Sequence, residues 1–108
     1  MGIGPVPAIE RLLQRLRHGL DAFDHIEINE AFAAQVIACT RALGLADDAV
    51  HVNPDGGALA LGHPLGASGG RLVLTAMRGL QRTGRNRALV AMCVGVGQGV
   101  AMALEKAE

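Results

Sequence analysis

The stretch ALVAMCVGVGQGVAMAL, residues 88–104, decides the fold, because it can be read either as a membrane span or as two strands joined by a turn. It is apolar apart from Gln98 and is bracketed by Arg87 and Glu105. A spanning helix needs about 20 apolar residues, and this run has Gly95, Gly97 and Gly99 in its middle. Two buried strands, Ala88 to Cys93 and Gly99 to Leu104, joined through a glycine turn, account for it better.

Upstream of this pair, helical and strand patterns alternate. Ile9, Leu12, Leu13, Leu16 and Leu20 repeat at helical spacing behind Pro5 and Pro7, which predicts a helix from Pro7 to His18 with Gly19 as its stop. His25-Ile26-Glu27-Ile28 alternates as a strand does. A second helix is expected from Glu30 to Leu43, with Phe32, Val36, Cys39 or Thr40, and Leu43 on its apolar stripe and Gly44 as its stop. Val50-His51-Val52 reads as a short strand ended by the turn cluster Asn53-Pro54-Asp55-Gly56-Gly57, and a long loop then runs to Gly66. Leu72, Val73, Ala76, Met77 and Leu80 mark a third helix, with Arg78, Arg82 and Arg85 at its negative end and Gly84 closing it. The chain shows no internal repeat or linker. One α/β unit, with three helices on a largely buried mixed sheet of about four strands, is the expected fold.

Composition narrows the function. The 108 residues are 50% apolar and carry ten basic against ten acidic side chains, so the chain folds as one domain and presents no global charge to nucleic acid or an anionic membrane. Met1 to Ala8 has no Lys or Arg for a secretory leader, and Val6 stands where myristoylation needs Ser or Thr. Cys39 and Cys93 lie far apart, which favours reduced thiols and a cytoplasmic location. Fifteen glycines beside only two aromatics, both Phe, point to backbone that must turn tightly or be approached closely.

Three segments carry candidate chemistry: Asn29-Glu30-Ala31-Phe32, Gly62-His63-Pro64, and Cys93 to Gly99. Each lies at a strand end or in a glycine-rich loop, where an α/β sheet projects side chains into a shared crevice. An amide, an imidazole and a thiol meeting there suffice for acyl-transfer or carbanion chemistry. Each also has a structural reading. Asn29 before a helix serves as an N-cap, a loop histidine can be structural, and Cys93 ending an apolar strand can be a small core residue. Cys39, on a helix stripe, reads as core. The arginines of the third helix read as dipole complement and solvated face. Gly95 to Gly99 lacks the spacing and following helix of a dinucleotide fingerprint, and Arg71 stands in no Walker loop. No close cysteine or histidine pair offers a metal site.

In this order, the three segments resemble the C-terminal signature blocks of the thiolases, coenzyme A-dependent acyltransferases that make or cleave 3-ketoacyl-CoA. The flanking runs Met1 to Ala8, Asn53 to Ala58 and Gly62 to Gly69 are similar to thiolase sequence as well. Val96 stands where a third closely spaced glycine is usual, a variant that resembles the ketoadipyl-CoA thiolase branch. The resemblance implies that His63 activates the nucleophilic cysteine and helps bind the thioester oxygen. It makes Cys93 the second catalytic cysteine, the acid/base at the α-carbon. Asn29 would orient a water in the oxyanion hole shared with His63, the Gly95 N–H would serve the other oxyanion hole, and Ala31 and Phe32 would line the pantetheine channel. A thioester enolate needs both a base and fixed donors on its oxygen, which is what this set supplies. Acyl-CoA or coenzyme A is the implied substrate, with no further cofactor and no metal.

The family's acylated cysteine belongs to its N-terminal half, and residues 1–108 resemble only the C-terminal domain, truncated at its N-terminal side. A fragment, a partial reading frame and one part of a split protein all remain open, as does a non-catalytic structural or interaction domain. An N-terminal thiolase half or a homo-oligomer is the expected partner. Because the family's first C-terminal strand precedes Met1, the strands at Ile26 and Ala88 are expected to flank a gap in the sheet, leaving unpaired apolar edges.

Overall fold

The computed structural model describes residues 1–107. Helix α1 (Pro5–Leu16) leads through a 3₁₀ turn at Leu20–Ala22 into strand β1 (His25–Ile28). Helices α2 (Ala33–Ala42), α3 (Ala58–Leu61) and α4 (Leu65–Thr83) follow, and the hairpin of β2 (Arg87–Val94) and β3 (Gln98–Glu105) ends the fold. Residues 88–104 thus form two strands as expected, but only β2 is buried; β3 is an edge strand, exposed or half-buried along its length with Val100 and Met102 each 50% exposed, because neither apolar cluster covers it fully. No helix among the described residues is long and apolar enough to cross a membrane.

The sheet has order β1-β2-β3, with β1 parallel to β2 and β2 antiparallel to β3. Two apolar clusters hold it. Ile9, Phe23, Ile26, Ile28, Leu89 and Ala91 pack on the α1 side, and Leu72, Ala76, Leu80, Ala88 and Val90 pack beneath α4. Strand alternation divides the side chains between these two layers.

Several expectations need correction. Among the described residues there are four α-helices and three strands, because α3 forms inside the predicted loop and Val50-His51-Val52 contributes one parallel bridge, Val52 to Ile26, in place of a strand. The expected gap between the strands at Ile26 and Ala88 is absent. They pair directly, His25 opposite Ala88 through Ile28 opposite Ala91, and Asn29 N–H extends the ladder to Ala91 O at 2.9 Å. Direct pairing satisfies donors and acceptors that a gap would strand in the core. The outer edge of β1 is closed as well. Ile26 N–H donates to His51 O, Asn53 N–H donates to Ile26 O, and the Asn53 side chain pairs with both the N–H and the C=O of Ile28 at 2.8 and 2.9 Å. Asn53, at φ 43°, acts as a one-residue substitute for a neighbouring strand.

Helix ends differ for local reasons. α1 starts at Pro5, two residues before the expected point, and stops at Arg17, which turns left-handed (φ 55°) and donates to Gln14 O and Leu13 O, so Gly19 is not its cap. α2 starts at Ala33 behind Phe32 instead of at Glu30. Phe32 is 60% exposed, off the core stripe, whereas Cys39 is fully buried as expected. α4 begins a full two turns before Leu72, at Leu65, and ends at Gly84 (φ 68°) as expected.

Near the chain start, Gly4, just before α1, lies so close to β3 that a Cβ on it would strike the Gln98–Gly99 backbone and a Cβ on Gly99 would strike the Gly4 backbone. This contact is why the sequence has glycine at both positions, and it fixes α1 beside the turn that follows Cys93.

Candidate functional site

The carboxyl ends of the parallel pair β1 and β2 lie at one edge of the sheet, where α/β folds place their ligands. Asn29 immediately follows β1 and is fully buried. It is not an N-cap, since Phe32 holds the position before α2 and no side chain bonds there. Instead, Asn29 Nδ2 lies 3.4 Å from both His63 Nδ1 and His63 Nε2. Equal distances mean the amide is aimed along neither ring lone pair, so Nε2 keeps its hydrogen-bonding capacity. Asn29 Oδ1 is buried without a hydrogen-bond partner among the described residues.

His63 sits in the turn between α3 and α4, with Gly62 (φ 93°) before it and Pro64 after it. That pair fixes the backbone, because Gly62 adopts a left-handed angle open to few other residues and Pro64, its φ set by its ring, stands at the cap just before α4. The imidazole is partly exposed, and its Nδ1 meets Ser68 Oγ at 2.5 Å. Ser68, buried in the first turn of α4, also donates to Pro64 O at 3.2 Å. Sequence reasoning missed Ser68. The available signal was its place five residues after His63, at the start of a helix whose first turn was read as loop.

Cys93 is buried near the end of β2, at the same edge of the sheet. Alternation along β2 sets it on the side of Leu89 and Ala91, while Asn29 and His63 lie on the α4 side. Among the described residues no hydrogen bond joins Cys93 to either of them. The structure therefore brings Asn29 and His63 together and does not join Cys93 to them: the thiol lies at the same end of the sheet but on the opposite face of β2. Gly95 follows Cys93 in an exposed turn, with open space where a Cβ would stand. Ala31 and the exposed Phe32 border the edge on the β1 side. Val96 and Gly97 both take left-handed angles, φ 65° and 74°. For a β-branched residue such as Val96 this is strain, which explains why glycine suits the position.

Beneath Asn29, the same face of β1 carries His25 and Glu27. Glu27 is fully buried, accepts from His25 Nε2 at 2.7 Å and has Arg71 Nη1 3.9 Å away. Burial pushes the Glu27 carboxyl above its ordinary value, outweighing the opposing pull of His25 and Arg71. The His25 ring rests against Gly79 of α4 so closely that no Cβ fits there. Burial likewise raises the Cys39 thiol, which donates to Gly2 O at 3.3 Å and is a core group.

Residues 1–106 match the thiolase C-terminal domain. The chain belongs to the thiolase family. It is 64% identical to the beta-ketoadipyl-CoA thiolase of Pseudomonas aeruginosa over 106 residues, 98% of this chain and 26% of that one. With the 3-oxoadipyl-CoA/3-oxo-5,6-dehydrosuberyl-CoA thiolase of Escherichia coli it shares 58% identity over the same share of each. Human mitochondrial 3-ketoacyl-CoA thiolase, solved in complex with CoA, superposes with a TM-score of 0.94 at 44% identity, covering 99% of this chain and 27% of that structure. The chain thus spans about a quarter of the length of these relatives.

Proposed function

We propose that this chain supplies the acid/base and oxyanion-hole residues of a coenzyme A-dependent acyltransferase that condenses acyl-CoA or thiolytically cleaves 3-ketoacyl-CoA. The observation that carries the proposal is the linked set Asn29, His63 and Ser68 at the carboxyl edge of the sheet, with the Cys93 thiol at the same edge. A thioester laid across that edge touches both sides of the strand end. In the condensing direction the Cys93 thiolate takes the α-proton, and the enolate oxygen is held by a His63 N–H and by a water on Asn29. The enolate carbon then attacks the acyl group on the cysteine of an N-terminal thiolase half, and that thiolate leaves. Cleavage is the reverse, with Cys93 returning the proton. The unpartnered Oδ1 of Asn29 supports the water-holding role, because an unpaired buried acceptor costs about 1–3 kcal/mol and a water satisfies it.

Gly95 N–H serves the second oxyanion hole, where its lack of a side chain lets an acyl oxygen approach. Ala31 and Phe32 line the pantetheine channel. The coenzyme A thioester is the substrate and no further cofactor takes part. The two reduced cysteines suit the cytoplasm. Without the nucleophilic half the chain alone is inactive, and an N-terminal half or a homo-oligomer completes it. Identity to the ketoadipyl-CoA thiolases favours a 3-ketoacyl-CoA with a second carboxyl group.

Adding an N-terminal thiolase portion that carries the nucleophilic cysteine tests this. The expected outcome is CoA-dependent cleavage of a 3-ketoacyl-CoA, reduced on the order of 10³-fold by His63→Ala. A stable complex without cleavage would favour the non-catalytic interaction domain instead.

A further inference from the structure

We infer that Ser68 is a positioning residue that holds neutral His63 as the Nδ1–H tautomer, leaving the Nε2 lone pair facing the crevice. Ser68 Oγ stands between two partners, His63 Nδ1 at 2.5 Å and Pro64 O at 3.2 Å, and it has one proton to give. The carbonyl can only accept, whereas the imidazole can carry a proton at either nitrogen. If the hydroxyl donated to Nδ1, Ser68 Oγ and Pro64 O would face each other with no proton between them. Ser68 is only 2% exposed, which keeps bulk solvent from relieving that contact. With the hydroxyl donating to Pro64 O, which also accepts the Ala67 and Ser68 N–H groups of the helix start, Nδ1–H donates to Oγ and both Ser68 contacts carry a proton. The bond a ring nitrogen makes decides which nitrogen is protonated. Asn29 Nδ2 does not compete, because it is equidistant from both nitrogens.

The consequence for chemistry rests on the reading of His63 given above. An Nδ1–H imidazole accepts the thiol proton of the nucleophilic cysteine at Nε2. The S–H bond breaks, an Nε2–H bond forms, and the ring becomes a cation whose new N–H donates to the thioester oxygen. One nitrogen thus serves first as base and then as oxyanion donor. The other tautomer would present an N–H to the thiol and could not take its proton.

Nitrogen-15 NMR of ring-labelled histidine at pH about 9, where ordinary imidazoles are neutral, tests the assignment without substrate. It is made on the chain as isolated, alone or assembled. The expected result is a protonated Nδ1 and an unprotonated Nε2 at His63, moving toward the Nε2–H pattern in Ser68→Ala and restored in Ser68→Thr. In the assembled enzyme, kcat/KM of Ser68→Ala is expected to fall on the order of 100-fold, with Thr recovering most of it. An Nε2–H pattern in the wild-type chain, or an unchanged Nδ1–H pattern in Ser68→Ala, overturns the inference. An Nδ1–H pattern in a chain that supports no thiolysis leaves this tautomer assignment standing and defeats the proposed activity.

Discussion

Ile26 and Ile28 point from β1 into the apolar cluster under α1, whereas His25, Glu27 and Asn29, interleaved with them on the same short run, face α4. A strand covered by helices on both sides is ordinarily apolar throughout. One face of β1 obeys that rule and secures the fold. The other departs from it, carrying a carboxylate, an imidazole and an amide, and α4 answers with Arg71, Gly79 and Ser68. Polar groups in such a place cost stability unless each is paired. Their continuation into Asn29 and His63 links the departure to the site, since breaches of a local rule concentrate where function resides.

The largest expected effect lies on the apolar face. Ile28→Ala removes a fully buried side chain and should cost about 4 kcal/mol in denaturant unfolding. A cost below about 1 kcal/mol would show that this face does not carry the fold. An intermediate gain belongs to the turn beyond Cys93. Val96→Gly removes a β-branched residue from φ 65° and should stabilise the chain by about 1–2 kcal/mol, seen as a rise in Tm. A lower Tm would mean that Val96, at 98% exposed, holds something other than strain.

The smallest effect is a change of slope, and it belongs to the polar face. Burial raises Glu27 above its ordinary 4.5, so the folded chain keeps a proton that the unfolded chain has released. This group's contribution is therefore fully present below about pH 4.5 and is lost as pH rises through the raised value. Glu27→Gln keeps an acceptor for His25 and cannot ionise. Its stability should decline less between pH 5 and 7 than that of the wild type, as read by urea unfolding at each pH. Equal slopes would show that His25 and Arg71 fully compensate the buried charge.

Much of this division was legible in the residues. The glycine-interrupted run 88–104 fixed a hairpin, and Gly44 and Gly84 marked helix ends because a left-handed cap leaves a compositional trace. Arg17 leaves no such trace, so α1 stopped where no glycine announced it. The first turns of α4 were hidden by Gly66, Gly69 and Gly70, which depress helix propensity although packing overrides it. With them Ser68 was hidden. Alternation in His25-Ile26-Glu27-Ile28 predicted the strand correctly, but the pattern does not say what covers the polar face; only tertiary packing shows His25 and Glu27 buried under α4. The pairing of β1 with β2 was likewise invisible, because it depends on contacts between residues far apart in sequence. Asn29, His63 and Cys93 stood out by their residue types at element ends. That Asn29 meets His63 while Cys93 lies across the strand end required the register itself.

The most direct test of the central claim is intact-mass spectrometry of this chain, with an N-terminal thiolase portion present, after exposure to acetyl-CoA. If Cys93 is the acid/base, the acetyl group is found on the portion that carries the nucleophilic cysteine, and residues 1–108 keep their unmodified mass. A stoichiometric acetyl adduct on Cys93 would contradict the account, making that thiol the nucleophile and His63 its partner in a simpler Cys/His arrangement.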